Sequence, residues 1–189
     1  MPHMTRNHWR GMTALALATM TWWALAGTPT EDKPVPAVRI QFHGRSTLHD
    51  FHGTASAPTV MFQLRDGTWS AAAKVQVSGM DTANAKRDGK MRQMFEAAAF
   101  PTIRGVVTNA PVPVTGTTNI TMELQIRDVT RPVTVTISDW QARPGGYQFH
   151  GTGTVSLKEF GLKPPSVMGM IRVADAVTLE TDVIVGEAK

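Results

Sequence analysis

From residue 38 to residue 185 this chain alternates apolar and polar side chains at a period of two, and one segment alone breaks the pattern with a helical period. The clearest stretch sets Trp69, Ala71, Ala73, Val75 and Val77 against Ser70, Ala72, Lys74, Gln76 and Ser78. Successive side chains of a strand point to opposite faces, so each such run has one wet face and one buried face. Such sheets pair antiparallel, because parallel sheets are covered on both faces and read as continuous apolar runs. A parallel sheet would also need a crossover helix after each strand.

Further strands read off in the same way. Val38, Ile40 and Phe42 alternate with Arg39, Gln41 and His43; Leu48 keeps that parity and Phe51 loses it, which calls for a bulge or kink within 46–50. Val60, Phe62 and Leu64 precede Asp66-Gly67, a strong hairpin turn. Strand patterns resume in 102–108, broken by Pro111 and Pro113; Ile120, Met122, Leu124 and Ile126 then share a face, and Val133, Val135 and Ile137 follow a link at Thr130-Arg131-Pro132. After the turn at Pro144-Gly145-Gly146 comes a long strand, Tyr147, Phe149, Gly151, Gly153, Val155 and Leu157. Its two central glycines mark a bend or a close approach. Val177, Leu179, Thr181, Val183 and Val185 form the last. The expected fold is all-β: an antiparallel eight-stranded β-barrel with one inserted α-helix, able to hold one small ligand.

The helical segment is RDGKMRQMFEAAAFPTI, residues 87–103. Met91, Met94, Phe95 and Ala98 fall at i, i+3, i+4 and i+7. Asp88 is the expected N-cap and Phe100-Pro101 the stop, giving a helix over 88–98. A methionine- and phenylalanine-faced helix lying on a barrel is either plain core or a pliable apolar contact across an opening.

Composition narrows the function classes. With 42% hydrophobic and 18% charged residues the chain is globular, not disordered. Its formal net charge of +4 includes Arg6 and Arg10, the only charged residues of 1–26. Without them the excess is too small to argue for nucleic acid, and no Lys/Arg-rich block appears. Cysteine is absent, which removes disulfides, cysteine zinc sites and a thiol nucleophile. The run MTALALATMTWWALA (12–26) after a positive start is short for a membrane span and suits a signal peptide over 1–26, cut after Ala26 at Ala24-Leu25-Ala26. Residues 27–37 read as a flexible lead-in. The expected location is periplasmic or secreted, with no transmembrane span in the mature chain.

Motifs for chemistry are weak. His43, His49 and His52 are close in sequence, but none lies on the helix and no zinc spacing appears, so no metal site is assigned. Gly151-Thr152-Gly153-Thr154 lacks the helix that a phosphate loop opens into. Gly-x-Ser-x-Gly is missing, so a hydrolase elbow has no support. The chain is read as no enzyme and as needing no cofactor.

Three stretches are familiar together: STLHDFHGT (46–54), DTANAKRDGKMRQMFEAAAFPTI (81–103) and VSLKEFGLKPPSVMGMIRV (155–173), with ELQIRDVTRPVTVTI (123–137) between the last two. Their order resembles the YceI-like family, also described as polyisoprenoid-binding or lipid-binding YceI domains, over residues 38–186. The resemblance implies a lipocalin-like, extended barrel, an exported protein, an elongated apolar tunnel for an isoprenoid or other amphiphile in some members, and dimers in some. One departure is Asp128, where members often carry glycine; aspartate tolerates turns, so the turn should survive.

The expected function is therefore an exported binding protein for an apolar or amphiphilic ligand such as a long-chain isoprenoid. The alternative is an envelope interaction or structural module with a filled barrel. Aromatic residues and methionine dominate apolar pockets. The expected lining is Phe42, Phe62, Trp69, Met91, Met94, Phe95, Phe100, Phe149 and Phe160, with Lys90, Arg92 or Arg104 for a charged head group.

Overall fold

The computed structural model describes residues 37–113, 116–144, 146–167 and 171–185. The expected signal peptide (1–26) and most of the expected lead-in (27–37) lie outside the described residues. Eight strands of seven residues or more carry the fold: β1 (Ala37–Ser46), β3 (Thr59–Arg65), β4 (Thr68–Gln76), β6 (Thr102–Pro111), β7 (Thr118–Ile126), β8 (Val129–Arg143), β9 (Gly146–Ser156) and β11 (Ile171–Val185). Three short ones join them: β2 (Phe51–Ala55), β5 (Met80–Asp81) and β10 (Ser166–Val167). Every pairing is antiparallel. The order β3-β4-β6-β7-β8-β9-β11-β1-β2-β5 makes one curled sheet, with β10 added beside β11.

Local chemistry explains the joints. Asp66 (φ 48°) and Gly67 (φ 74°) make the tight turn between β3 and β4, both in the left-handed region that suits the twist of a hairpin. The β7–β8 turn falls at Arg127 (φ 57°) and Asp128, so the aspartate turn survives. Thr130-Arg131-Pro132 is not the link; it lies inside β8, paired with Glu123–Gln125. Residues 47–50 are a full chain reversal, not a bulge in one strand. Phe51 therefore faces Gly44 on β1, and the apolar parity is restored across the hairpin. Leu48, at the reversal, is 67% exposed.

The helix belongs to an excursion across one end of the sheet. After β4 and a 3-10 turn (Val77–Gly79), the chain reaches β5 at the opposite edge, on β2. It then forms α1 (Ala85–Met94) and returns to β6, beside β4. Val77 N–H donates to the Pro101 carbonyl at 2.9 Å and ties the two ends of the excursion. The N-cap is Asn84, whose Oδ1 accepts from Arg87 N–H at 3.1 Å. Asp88 is instead buried in the first turn. Its Oδ1 accepts from Thr82 N–H at 3.1 Å and from the Thr82 hydroxyl at 2.5 Å. Met91 and Phe95 are buried, Met94 is half-buried, and Ala98 is exposed beyond the helix. Glu96 pairs with Arg127 at 3.0 Å and fastens the end of the excursion to the β7–β8 turn.

Candidate functional site: an apolar interior in two chambers

Alternate residues of β1, β3, β4, β6, β7, β8, β9 and β11 converge on one cavity of about 190 Å³ inside the curled sheet. Space exists there because the inward positions are small where strands face one another. Ala71 and Ala73 of β4, Gly105 of β6, and Gly151 and Gly153 of β9 all line it. A Cβ on Gly151 would stand 2.9 Å from Thr181 Cγ2, and one on Gly105 would stand 2.9 Å from Met122 Sδ. The glycines thus admit their neighbours' side chains, and the chamber lies beyond them. Large residues gather on the same lining: Phe62 stacks on Trp69 at 5.6 Å, and Phe149 lies 5.4 Å from Trp69. Trp140 and Tyr147 extend this cluster.

A second cavity of about 120 Å³ lies under α1. Met91, Met94 and Phe95 form its helix side; Leu124, Ile126 and Val155 of the sheet, with Leu157 just past β9, line it too. Phe42, Met80, Ile103, Leu124 and Leu179 border both chambers and are the partition between them. Phe51, Arg87, Pro165 and Val173 also line the second cavity and are half-buried, whereas Met91, Phe95 and Ile126 are buried.

Seven of the nine lining residues expected from sequence sit on these walls: Phe42, Phe62, Trp69 and Phe149 on the first, and Met91, Met94 and Phe95 on the second, with Phe42 on both. Phe100 does not. It is half-buried beneath the Arg127 guanidinium, 5.6 Å from its ring centre. Phe160 is 1% exposed, lies in the short turn Leu157–Phe160 and lines neither of these two cavities. Lys90 and Arg104 are exposed, Arg92 is half-buried, and none of the three lines a chamber. Among the described residues the cation that does is Arg87, which was not among the expected head-group residues. Its sequence signal is the Arg-Asp pair at the helix start. The small residues on the buried face of β4 suit a cavity wall on sequence alone, and Ala71 and Ala73 do line the first chamber.

Histidines stay on the outer parity. His43 and His52 face each other across β1 and β2, with their Nδ1 atoms in contact, and Glu180 Oε2 lies 3.1 Å from His43 Nε2. His150 Nδ1 pairs with Asp182 at 2.8 Å. Among the described residues no group of three metal-ligating side chains could hold a metal ion. Among them, too, no helix is long and apolar enough to cross a membrane.

The sequence pattern of the YceI-like domain matches residues 36–185. The UPF0312 protein of Pseudomonas savastanoi pv. phaseolicola is 28% identical over 177 residues, spanning 82% of this chain and 88% of that protein. Among solved structures, Burkholderia cenocepacia BcnA superposes with a TM-score of 0.66 at 17% identity, over 77% of this chain and 94% of that one. A polyisoprenoid binding domain from Saccharophagus degradans superposes with a TM-score of 0.54 at 12% identity, over 82% and 100%. Both structural likenesses speak for the fold: a lipocalin-like antiparallel barrel.

Proposed function

This chain belongs to the YceI-like family, and from that premise we propose that it is a carrier whose barrel interior holds an apolar or amphiphilic small molecule, with an isoprenoid-like lipid as the leading ligand. The hollow, apolar interior carries the reading. A filled barrel would suit a purely structural module, but here small residues at five inward positions leave a chamber open. Each buried methylene contributes about 0.8 kcal/mol, so ten carbons supply about 8 kcal/mol before association costs. Association costs of several kcal/mol come off that figure, so micromolar binding needs the further carbons of a longer tail. The polyisoprenoid-binding relative of like fold supports the choice of ligand class. The proposal assigns binding and no catalysis. It places the carrier in the periplasm or outside the cell, on the strength of the apolar run after a positive start in residues 1–26.

The test is solvent extraction and native mass spectrometry of the protein purified from its source. Co-purifying lipid at a fixed stoichiometry is the expected result. Protein that emerges empty, and takes up no tail from an isoprenoid and fatty-chain panel, would remove the reading.

A further inference from the structure

We propose that Arg87 reads an anionic head group in the chamber under α1, so that the ligand is an amphiphile ending in a carboxylate or a phosphate; this rests on the carrier reading above. Among the described residues Arg87 is the one charged residue lining an otherwise apolar cavity, and it is half-buried there, as are Phe51, Pro165 and Val173. A tail seated under the helix that leaves past these residues has its head beside Arg87.

The guanidinium is held in position from behind. Its Nε donates to Thr82 Oγ1 at 2.8 Å and its Nη2 to the Thr82 carbonyl at 2.8 Å. Its plane lies over the Phe51 ring, 4.8 Å from the centre. Arginine has five N–H donors in a rigid fork, and these two bonds leave three. Thr82 is itself fixed by the buried Asp88, whose Oδ1 takes both the N–H and the hydroxyl of Thr82. The adjacent carboxylate is thereby turned to Thr82. Among the described residues Arg87 forms no ion pair, whereas Arg45 pairs with Asp50 and Arg127 with Glu96.

A half-buried cation without a carboxylate, oriented by neutral oxygens and bordered by apolar surface, suits an anion delivered by a ligand. Two N–H groups of an arginine fork match the paired oxygens of a carboxylate or phosphate. The positive charge of the lining segments agrees, since Lys163 and Arg172 flank Pro165 and Val173 in the chain.

The experiment titrates the wild-type chain with pairs of probes sharing one tail: geranylgeraniol against geranylgeranyl phosphate, and hexadecanol against palmitate. The expected result is that at least one acidic probe binds about ten- to a hundred-fold tighter than its alcohol, the range a charge-assisted bond supplies. The pair with the larger ratio identifies the head as phosphate or carboxylate. In Arg87→Gln the acid should fall to the affinity of the alcohol, and the alcohol should bind as before. Equal binding of acid and alcohol by the wild type overturns the head-group proposal and leaves the carrier standing. So does an Arg87→Gln variant that weakens both probes alike, since Arg87 would then be a strap for Thr82. If no tail binds at all, the carrier reading itself fails. Should Arg87→Gln not fold, Arg87→Lys keeps the charge without the fork, and a preference reduced but not abolished is the expected outcome; an unchanged preference overturns the assignment to the fork.

Discussion

The ring of Phe42 lies over Gly53 on the neighbouring strand, filling the place a β-carbon would take; such a carbon would stand 2.5 Å from Cε2 and 2.7 Å from Cε1. The two residues are register partners on β1 and β2. Phe51 covers Gly44 in the same manner two residues away. Because Phe42 also borders both chambers, Gly53 sets the position of the partition.

Phe42→Ala should join the two chambers. The expected stability cost is about 3–5 kcal/mol, read by urea denaturation. The expected gain is a shift of bound tails to longer chains in a length series followed by native mass spectrometry. Gly53→Ala should displace the ring, cost about 1–3 kcal/mol, and shorten the accepted tail. An unchanged length profile in both variants would show that Phe42 divides nothing.

Ala71→Trp places an indole in the larger chamber, on the wall Ala71 shares with Phe62 and Val107. Bound lipid should disappear while circular dichroism and melting temperature hold or improve. Were the space already filled, overpacking would instead destabilise by about 1–3 kcal/mol. The sign of the melting shift therefore distinguishes a hollow barrel from a packed one.

Asp88→Ala leaves the Thr82 amide and hydroxyl without their acceptor in a place where both residues are buried. Loss of an acceptor for buried donors costs about 1–3 kcal/mol. Denaturation midpoints should fall accordingly. Asp88→Asn, which keeps one acceptor oxygen, should recover part of the loss.

Asp175 joins β11 to the far end of β9. Its carboxyl is held below its usual 3.8, first by the Ser156 hydroxyl at 2.7 Å and then by the Lys158 N–H at 2.8 Å, against partial burial. The folded state therefore releases this proton more readily than the unfolded chain. The resulting stabilisation is complete above about pH 4 and disappears as pH falls through the depressed folded value. The difference in melting temperature between wild type and Asp175→Asn should be steady from pH 7 to pH 5 and close at lower pH. A difference that persists unchanged at pH 2 would remove the carboxylate from the explanation.

Strand-level structure was legible because period two is a direct imprint of one-sided burial. All eight long strands carry it, from Val38-Ile40-Phe42 to Val177-Leu179-Thr181. The β1–β2 hairpin was not legible as such, since Gly44 and Gly53 offer no side chain to show which face they occupy. The helix N-cap read from sequence lies four residues late, at Asp88 and not Asn84, for a different reason. Its first turn carries polar residues, so the apolar stripe begins only at Met91, and Asp88 competes with Asn84 as a cap on composition alone.

The site was half legible. Large apolar residues announce an apolar wall, and seven of nine do line it. Phe100 and Phe160 misled because ring size says nothing about which side of a turn the ring packs on. Arg87 was hidden among Lys90, Arg92 and Arg104, and only the fold shows which cation lines the chamber. Empty volume, by contrast, is signalled by what is missing: Ala71, Ala73, Gly105, Gly151 and Gly153.

Those five small residues have a consequence for the lifetime of the protein. A chain that leaves its own centre vacant folds with less apolar surface buried than its size allows. For a carrier, the occupant supplies the missing contacts, and its binding adds RT ln(1 + [L]/Kd) to folding stability. Loaded molecules then outlast empty ones when proteases act on the unfolded fraction. The amount of protein that persists would follow the supply of its ligand, a coupling set by side-chain volume alone and requiring no dedicated regulator.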